Sequence, residues 1–318
     1  MLIAAAVSVV LATTSVALPG DPPVGMDYLA FDAVNHRVWI PAGNTGNIDV
    51  LDVVTGKLTT LGGFPTRPSS RPNRPPMGPS SATVGAGKVW VGNRGDNTVC
   101  AFDGRSLEKQ RCIQLAVMPD GVQYVAATDE LWITTPADQS LVIVGVKTAA
   151  LSHLKLDGNP EGYAVDEARG VFYTNLEDKD RTLAIDLKTR KVLSSWTPGC
   201  GKEGPRGLAL DGARRLLLVA CTDGAVSLDL AHDGKVVGRI KTGAGVDNLE
   251  YAAQARRLYI ASGADGMLTV ADVADGGAIK SVAQVATATG ARNPILDGAG
   301  TLYVEDSAGG RLIVVRPK

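Results

Sequence analysis

The feature that most constrains this chain is a repeat of about forty residues. Seven times the sequence presents a short β-forming triplet with a large residue at its centre: Val38-Trp39-Ile40, Val89-Trp90-Val91, Leu131-Trp132-Ile133, Val171-Phe172-Tyr173, Leu216-Leu217-Leu218, Leu258-Tyr259-Ile260 and Leu302-Tyr303-Val304. The central residues stand 51, 42, 40, 45, 42 and 44 positions apart. Each triplet follows a shorter apolar stretch that often ends in Asp, as at Asp32, Asp166, Asp211 and Asp297. A Gly/Asn/Asp loop and a third apolar stretch come next, and most units finish with a fourth, such as 192–196 and 236–240. No window carries the sustained i, i+3, i+4, i+7 apolar stripe of a surface helix.

Four short strands per unit, repeated seven times, predict an all-β fold, a seven-bladed β-propeller with four antiparallel strands per blade. The blades fall at about 24–64, 80–118, 120–158, 161–198, 206–242, 247–288 and 293–318. The last unit has only three strands of its own. Residues 13–18 stand before blade one as the fourth strand of blade five stands before blade six. They are therefore expected to complete blade seven and close the ring, which removes an exposed sheet edge. The 37 glycines belong to the repeated turns.

Leu2 to Leu11 is apolar apart from Ser8, too short to span a membrane, and resembles the apolar region of an export signal. No Lys or Arg precedes it. Residues 1–12 are read as the export segment and 13–318 as a single propeller domain, in a monomeric chain without a transmembrane domain. Cleavage after Ala12 would keep the closing strand; cleavage after Ala17 would remove it. The four cysteines form no CxxC motif, and an exported chain with an even count suggests disulfides. Four cysteines allow three pairings. Cys100 with Cys112 and Cys200 with Cys221 is expected, because the first pair falls on neighbouring strands and the second at one end of blade five. Four free thiols in a cytosolic chain are the alternative.

Val89-Trp90-Val91-Gly92-Asn93 and Val171-Phe172-Tyr173-Thr174-Asn175 resemble the Tyr-Val-Thr-Asn core of YVTN-repeat (YncE-like) propellers. So do 26–32 and 204–211. This resemblance covers roughly residues 16–318 and implies the same fold and a periplasmic or extracellular bacterial protein. A fainter one links Val246-Asp247-Asn248-Leu249 to paraoxonase-type lactonases, and Asn159-Pro160-Glu161-Gly162 to gluconolactonase-type propellers. It implies a Ca²⁺ ion in the central channel.

The loops that enter each blade and those that follow its second strand share one face of the channel. Glu161, Asn175, Asp247 and Asn248 are the candidate metal ligands, since converging oxygens suit a hard cation. Asp27, Asn93, Arg94, Arg206 and Asn293 are the candidate ligand-binding residues. Turn chemistry alone also accounts for Asp and Asn there. The loop from Phe64 to Ser81 holds six prolines and three arginines and accounts for the long first spacing. It is read as a stiff segment over the channel face, a lid or docking element or a solvated insertion.

His36 and His232 fall in turns on the opposite face and His153 on an outer strand, so no histidine base is placed at the channel mouth for a Ser or Cys nucleophile. GxSxG, Walker and HExxH motifs are absent, and virginiamycin-lyase-like chemistry, which needs a channel histidine, is disfavoured. Charge is balanced at 32 basic against 33 acidic residues, and aromatics are scarce, which opposes nucleic-acid binding. The expectation is an exported binding or scaffold propeller that meets a small molecule or a protein at its channel face. A Ca²⁺-dependent, lactonase-like hydrolase is the alternative.

Overall fold

The computed structural model describes residues 11–317. They form seven four-stranded antiparallel sheets. Among the described residues, helix is confined to two single 3₁₀ turns, Gly43–Thr45 and Pro136–Asp138. Each sheet is a meander. The innermost strands are Ala30–Asp32, Pro79–Gly85, Val122–Val125, Pro160–Asp166, Pro205–Asp211, Leu249–Ala252 and Arg292–Leu296, in blades one to seven. The fourth strand of blade seven is Leu11–Ala17, which pairs antiparallel with Arg311–Pro317 in unbroken register, Leu11 opposite Pro317 and Ala17 opposite Arg311. The ring is therefore closed as expected, by a strand that begins two residues earlier than predicted. The boundary drawn after Ala12 falls inside it. Residues 1–10, which carry most of the expected export segment, lie outside the described residues.

Burial follows position in the blade. The second and third strands are almost wholly buried, because both faces of each middle strand meet a neighbouring blade. The outermost strands are mostly exposed, as in Lys109–Gln114, where only Ile113 is buried. Seven apolar clusters result, one between each pair of adjacent blades. The cluster of Val38, Ile40, Leu51, Tyr303, Leu312 and Val314 joins blade seven to blade one. Trp39, Trp90 and Trp132 are fully buried.

The register corrects the phase of two repeats. Trp39 faces Ala30, Trp90 faces Thr83 and Trp132 faces Gln123 on the innermost strands. In blades four and five the equivalent residues are Tyr173, opposite Ala164, and Leu218, opposite Ala209, rather than Phe172 and Leu217. Val-Phe-Tyr and Leu-Leu-Leu satisfy a buried strand in either phase, and both faces of these strands are covered, so alternation gave no cue.

Both expected disulfides are present. Cys100 and Cys112 are directly opposite on neighbouring strands, with Cα atoms 3.9 Å apart. Cys200 and Cys221 link the loop entering blade five to the end of its second strand, with Cα atoms 5.1 Å apart. The loops span 12 and 21 residues, for which chain-entropy loss in the unfolded state contributes about 3 kcal/mol each. Replacing either pair with alanine is expected to lower the urea-unfolding free energy by about that amount. Reductant should then no longer affect the site removed.

Candidate functional site

The channel mouth is built from the residue that opens each blade, immediately before or at the start of its innermost strand. Asp27, Asp120, Glu161, Arg206, Asp247 and Arg292 occupy this level in blades one, three, four, five, six and seven. Three of these residues precede a glycine: Asp120-Gly121, Glu161-Gly162 and Arg206-Gly207. Close approach explains all three glycines: a Cβ on Gly162 would lie 2.4 Å from the Arg206 carbonyl oxygen. A Cβ on Gly121 would lie 2.2 Å from the Tyr163 ring, and one on Gly207 would lie 1.8 Å from Asn248 Oδ1. The bare backbone lets each blade lean against the next.

Six carboxylates converge here, with three arginines among them. Arg94, from the loop after the second strand of blade two, donates to Asp27 at 2.7 Å and also to Asp120. Arg206 pairs with Glu177. Arg292 Nη1 lies 3.0 Å from Asp247 Oδ2. Among the described residues no lysine or arginine pairs with Glu161 or Glu305. Glu161 accepts only a long hydrogen bond from the Tyr28 hydroxyl, at 3.4 Å. Glu305 is fully buried; one of its oxygens accepts from Asn293 Nδ2 at 3.1 Å, and Oε1 has no partner. Asp120 Oδ2 is likewise buried and without a partner.

The electrostatics follow from this imbalance. Burial pushes the Asp27 carboxyl up to about 6, with Asp120 and Asp247 adding to the rise and Arg94 opposing it. Burial and the neighbouring carboxylates push Glu161 and Glu305 well above the ordinary glutamate range. Glu177 is raised by burial and held back by Arg206, with a smaller contribution from Arg71 of the Pro/Arg-rich loop. Burial works against the Arg94 charge, but Asp120 and Asp27 outweigh it and hold the guanidinium firmly protonated.

Beneath the mouth lies a cavity of about 330 Å³ along the ring axis, lined among others by Asp27, Tyr28, Tyr163, Asn248, Glu250 and Asn293. Tyr28 of blade one and Tyr163 of blade four stack with ring centroids 5.5 Å apart and planes 19° from parallel. Tyr163 donates its hydroxyl to the Val122 carbonyl at 3.1 Å. Further down, the position opposite the second-strand aromatic is Ala30, Thr83, Gln123, Ala164, Ala209, Glu250 and Ile295 in successive blades. Glu250 is the only charged side chain at that level. Burial pushes its carboxyl up to about 7, offset in part by the amides of Tyr251 and Leu296. A raised carboxyl binds its proton more tightly folded than unfolded, so stability falls as pH rises from about 4.5 through 7. Glu250→Gln is therefore expected to stabilise the protein by about 2 kcal/mol at pH 8 and by little at pH 5. Paired thermal melts at the two pH values check this.

The nine predicted site residues divide. Asp27, Arg94, Glu161, Arg206 and Asp247 meet at the mouth. Asn248 lines the cavity beneath it, and Asn93, Asn175 and Asn293 act as fasteners between segments. Asn93 is fully buried and donates to the Pro65 carbonyl and to Asp96. Asn175 is fully buried, accepts the Thr182 hydroxyl at 2.6 Å and donates to the Arg206 carbonyl. Asn293 accepts the Asn248 amide at 3.0 Å and donates to the Asp27 carbonyl, tying blades six, seven and one together. Three of the four candidate calcium ligands have protein contacts of their own: the Asn175 oxygen accepts from Thr182, Asp247 pairs with Arg292, and the Asn248 oxygen lies against Gly207. Among the described residues no three His, Cys, Asp or Glu side chains stand as a metal ion requires. Tyr28, Tyr163, Glu250, Arg292 and Glu305 belong to the site and were not singled out. For Glu305 a signal existed. The equivalent second-strand position elsewhere is Pro41, Gly92, Thr134, Asn175, Ala220 or Ala261, so a glutamate there breaks a run of uncharged residues.

The Pro/Arg-rich loop is fixed to this face. Arg67 and Met77 form a backbone bridge, Arg67 Nη2 donates to Asn97 at 3.0 Å, and the Arg94 amide donates to the Gly78 carbonyl.

Compared with protein-family models and with curated protein sequences, the chain matches none. Its fold is similar to solved structures at low identity. A catalytically inactive virginiamycin B lyase from Staphylococcus aureus with quinupristin superposes with a TM-score of 0.77 at 11% identity, over 97% of this chain and 100% of that one. Hydrazine synthase of Kuenenia stuttgartiensis gives 0.76 at 12% identity, over 95% and 97%. A chain of the mitotic checkpoint complex gives 0.75 at 14% identity, over 96% and 90%. What this chain shares with them is the fold, a seven-bladed β-propeller.

Proposed function

We propose that this chain is an exported binding propeller of the YVTN-repeat type whose channel mouth takes a small, positively charged organic molecule. The observation that carries the reading is the charge count at the mouth: six carboxylates share three arginines, and buried carboxylate oxygens of Glu305 and Asp120 have no hydrogen-bond donor. Buried polar atoms are almost always satisfied, so orphaned acceptors facing an acidic ring call for a donor that brings positive charge. The stacked tyrosines beside Glu161 offer an aromatic surface against which an ammonium group is stabilised. Two disulfides and the absence, among the described residues, of a helix able to cross a membrane are in keeping with export.

The test is a thermal-shift series at pH 8 with n-pentylamine, calcium chloride and citrate. The amine is expected to raise the melting temperature by about 4 °C at a hundredfold excess over Kd. Glu161→Gln should weaken that response, and citrate should give none. A shift with calcium alone would favour the metal-dependent hydrolase. No shift with either cation would remove the basis of both readings.

A further inference from the structure

We infer that the molecule held in the channel is a linear diamine, with one ammonium at the mouth and the other received by Glu250 further down the axis. This rests on the reading of the mouth as a cation site and adds the ligand class. The geometry that carries it is a single cavity that reaches an acid at the mouth and a second, uncompensated acid further down. Asp27 at the mouth and Glu250 further down line one and the same cavity. The cavity wall also carries Leu29, Leu208, Leu249 and Pro294, beside the polar Thr83, Gln123, Asn248 and Asn293. Methylene groups suit the aliphatic part of that wall, and an ammonium suits each acid.

Glu250 is not used by the fold in the way the other buried acids are. Tyr259 stands directly opposite it on the second strand of blade six, and the charged residues of the flanking innermost strands are Arg206 and Asp211 in blade five and Arg292 in blade seven. Arg206 is committed to Glu177, Arg292 to Asp247, and Asp211 to Arg214. Arg257, beside Tyr259, pairs with Asp272 on the next strand. Among the described residues no cation therefore pairs with Glu250, which lines the cavity directly. A single ammonium at the mouth would leave it so. A second ammonium on the same molecule would not.

Calorimetric titration of the full chain tests this with two probes of equal carbon length, cadaverine and n-pentylamine. At pH 8 cadaverine is expected to bind the wild type roughly tenfold or more tightly than n-pentylamine, as one charge-assisted hydrogen bond supplies. Glu250→Gln should abolish that preference. Its melting temperature, at or above that of the wild type, would show that the loss is not misfolding. At pH 5, where Glu250 holds its proton, the wild type should lose the preference as well. Equal affinity of the two amines for the wild type, or a preference that survives Glu250→Gln, would overturn the diamine and leave the mouth as a cation site. Failure of both amines to bind would overturn the diamine and the mouth reading together.

Discussion

A chain that begins at Leu18 is expected to lose cooperative folding. Removing Leu11–Ala17 takes away all seven register pairs with Arg311–Pro317 and leaves that strand as an open edge. It also removes Leu11 and Val16 from the clusters that join blade seven to its neighbours. About 1 kcal/mol for each lost ladder bond, together with the apolar area re-exposed, amounts to about 5 kcal/mol or more. That is comparable with the whole stability of an ordinary domain. Urea titration followed by tryptophan fluorescence should show a broad transition at low denaturant in place of one sharp step. Size-exclusion chromatography should show association, because unpaired strand edges pair with other chains. A sharp transition at the wild-type midpoint would mean that closure by this strand does not hold the ring.

The second large effect is at Arg94. Its guanidinium is shared by Asp27 and Asp120, and all three side chains are mostly buried. Arg94→Ala leaves two carboxylates facing each other without their cation. Breaking such a pair from one side costs about 3 kcal/mol, and this prediction takes the lower end because the side chains keep some solvent contact. The effect has a pH signature. Asp27 titrates at about 6 with Arg94 present, and without it the carboxyl must rise further. Below that value the proton on Asp27 removes its repulsion with Asp120; above it the Asp27 charge is left without its cation. The destabilisation should therefore be largest at pH 8 and much smaller at pH 5, as read from paired urea titrations. Arg94→Lys keeps the charge but loses the fork that reaches both acids, and an intermediate loss is expected.

The ring itself was legible because large residues recur on the second strands. Trp39, Trp90 and Trp132 mark a strand buried on both faces, and the turns between them are rich in Gly, Asn and Asp. The phase slipped by one residue only where Val-Phe-Tyr and Leu-Leu-Leu offered two equivalent choices. The cysteine pairing was legible for the same reason: once the strands are placed, Cys100 and Cys112 are neighbours.

The site was legible in part. Charged residues opening successive blades pointed to the mouth, and Asp27, Arg94, Glu161, Arg206 and Asp247 are there. Asparagines misled, because an amide can serve a ligand or the fold equally well. Asn93, Asn175 and Asn293 use both ends of the amide to fasten loops and blades. Tyr28 and Tyr163 were not legible at all. Their stacking joins positions 135 residues apart in the sequence, and it depends on Gly121 leaving room for the Tyr163 ring. Glu250 and Glu305 become visible only when each is set beside the uncharged residues that hold its position in the other blades.

The most direct measurement of the central claim is a crystal structure of the protein grown with saturating cadaverine at pH 8. The account predicts one molecule along the channel axis. One nitrogen should lie within hydrogen-bond distance of Glu161 or Asp247 and the other within reach of Glu250, with the chain between them against Leu208 and Leu249. A channel that holds only water at saturating amine, with the ligand absent or confined to the outer surface of the blades, would contradict it.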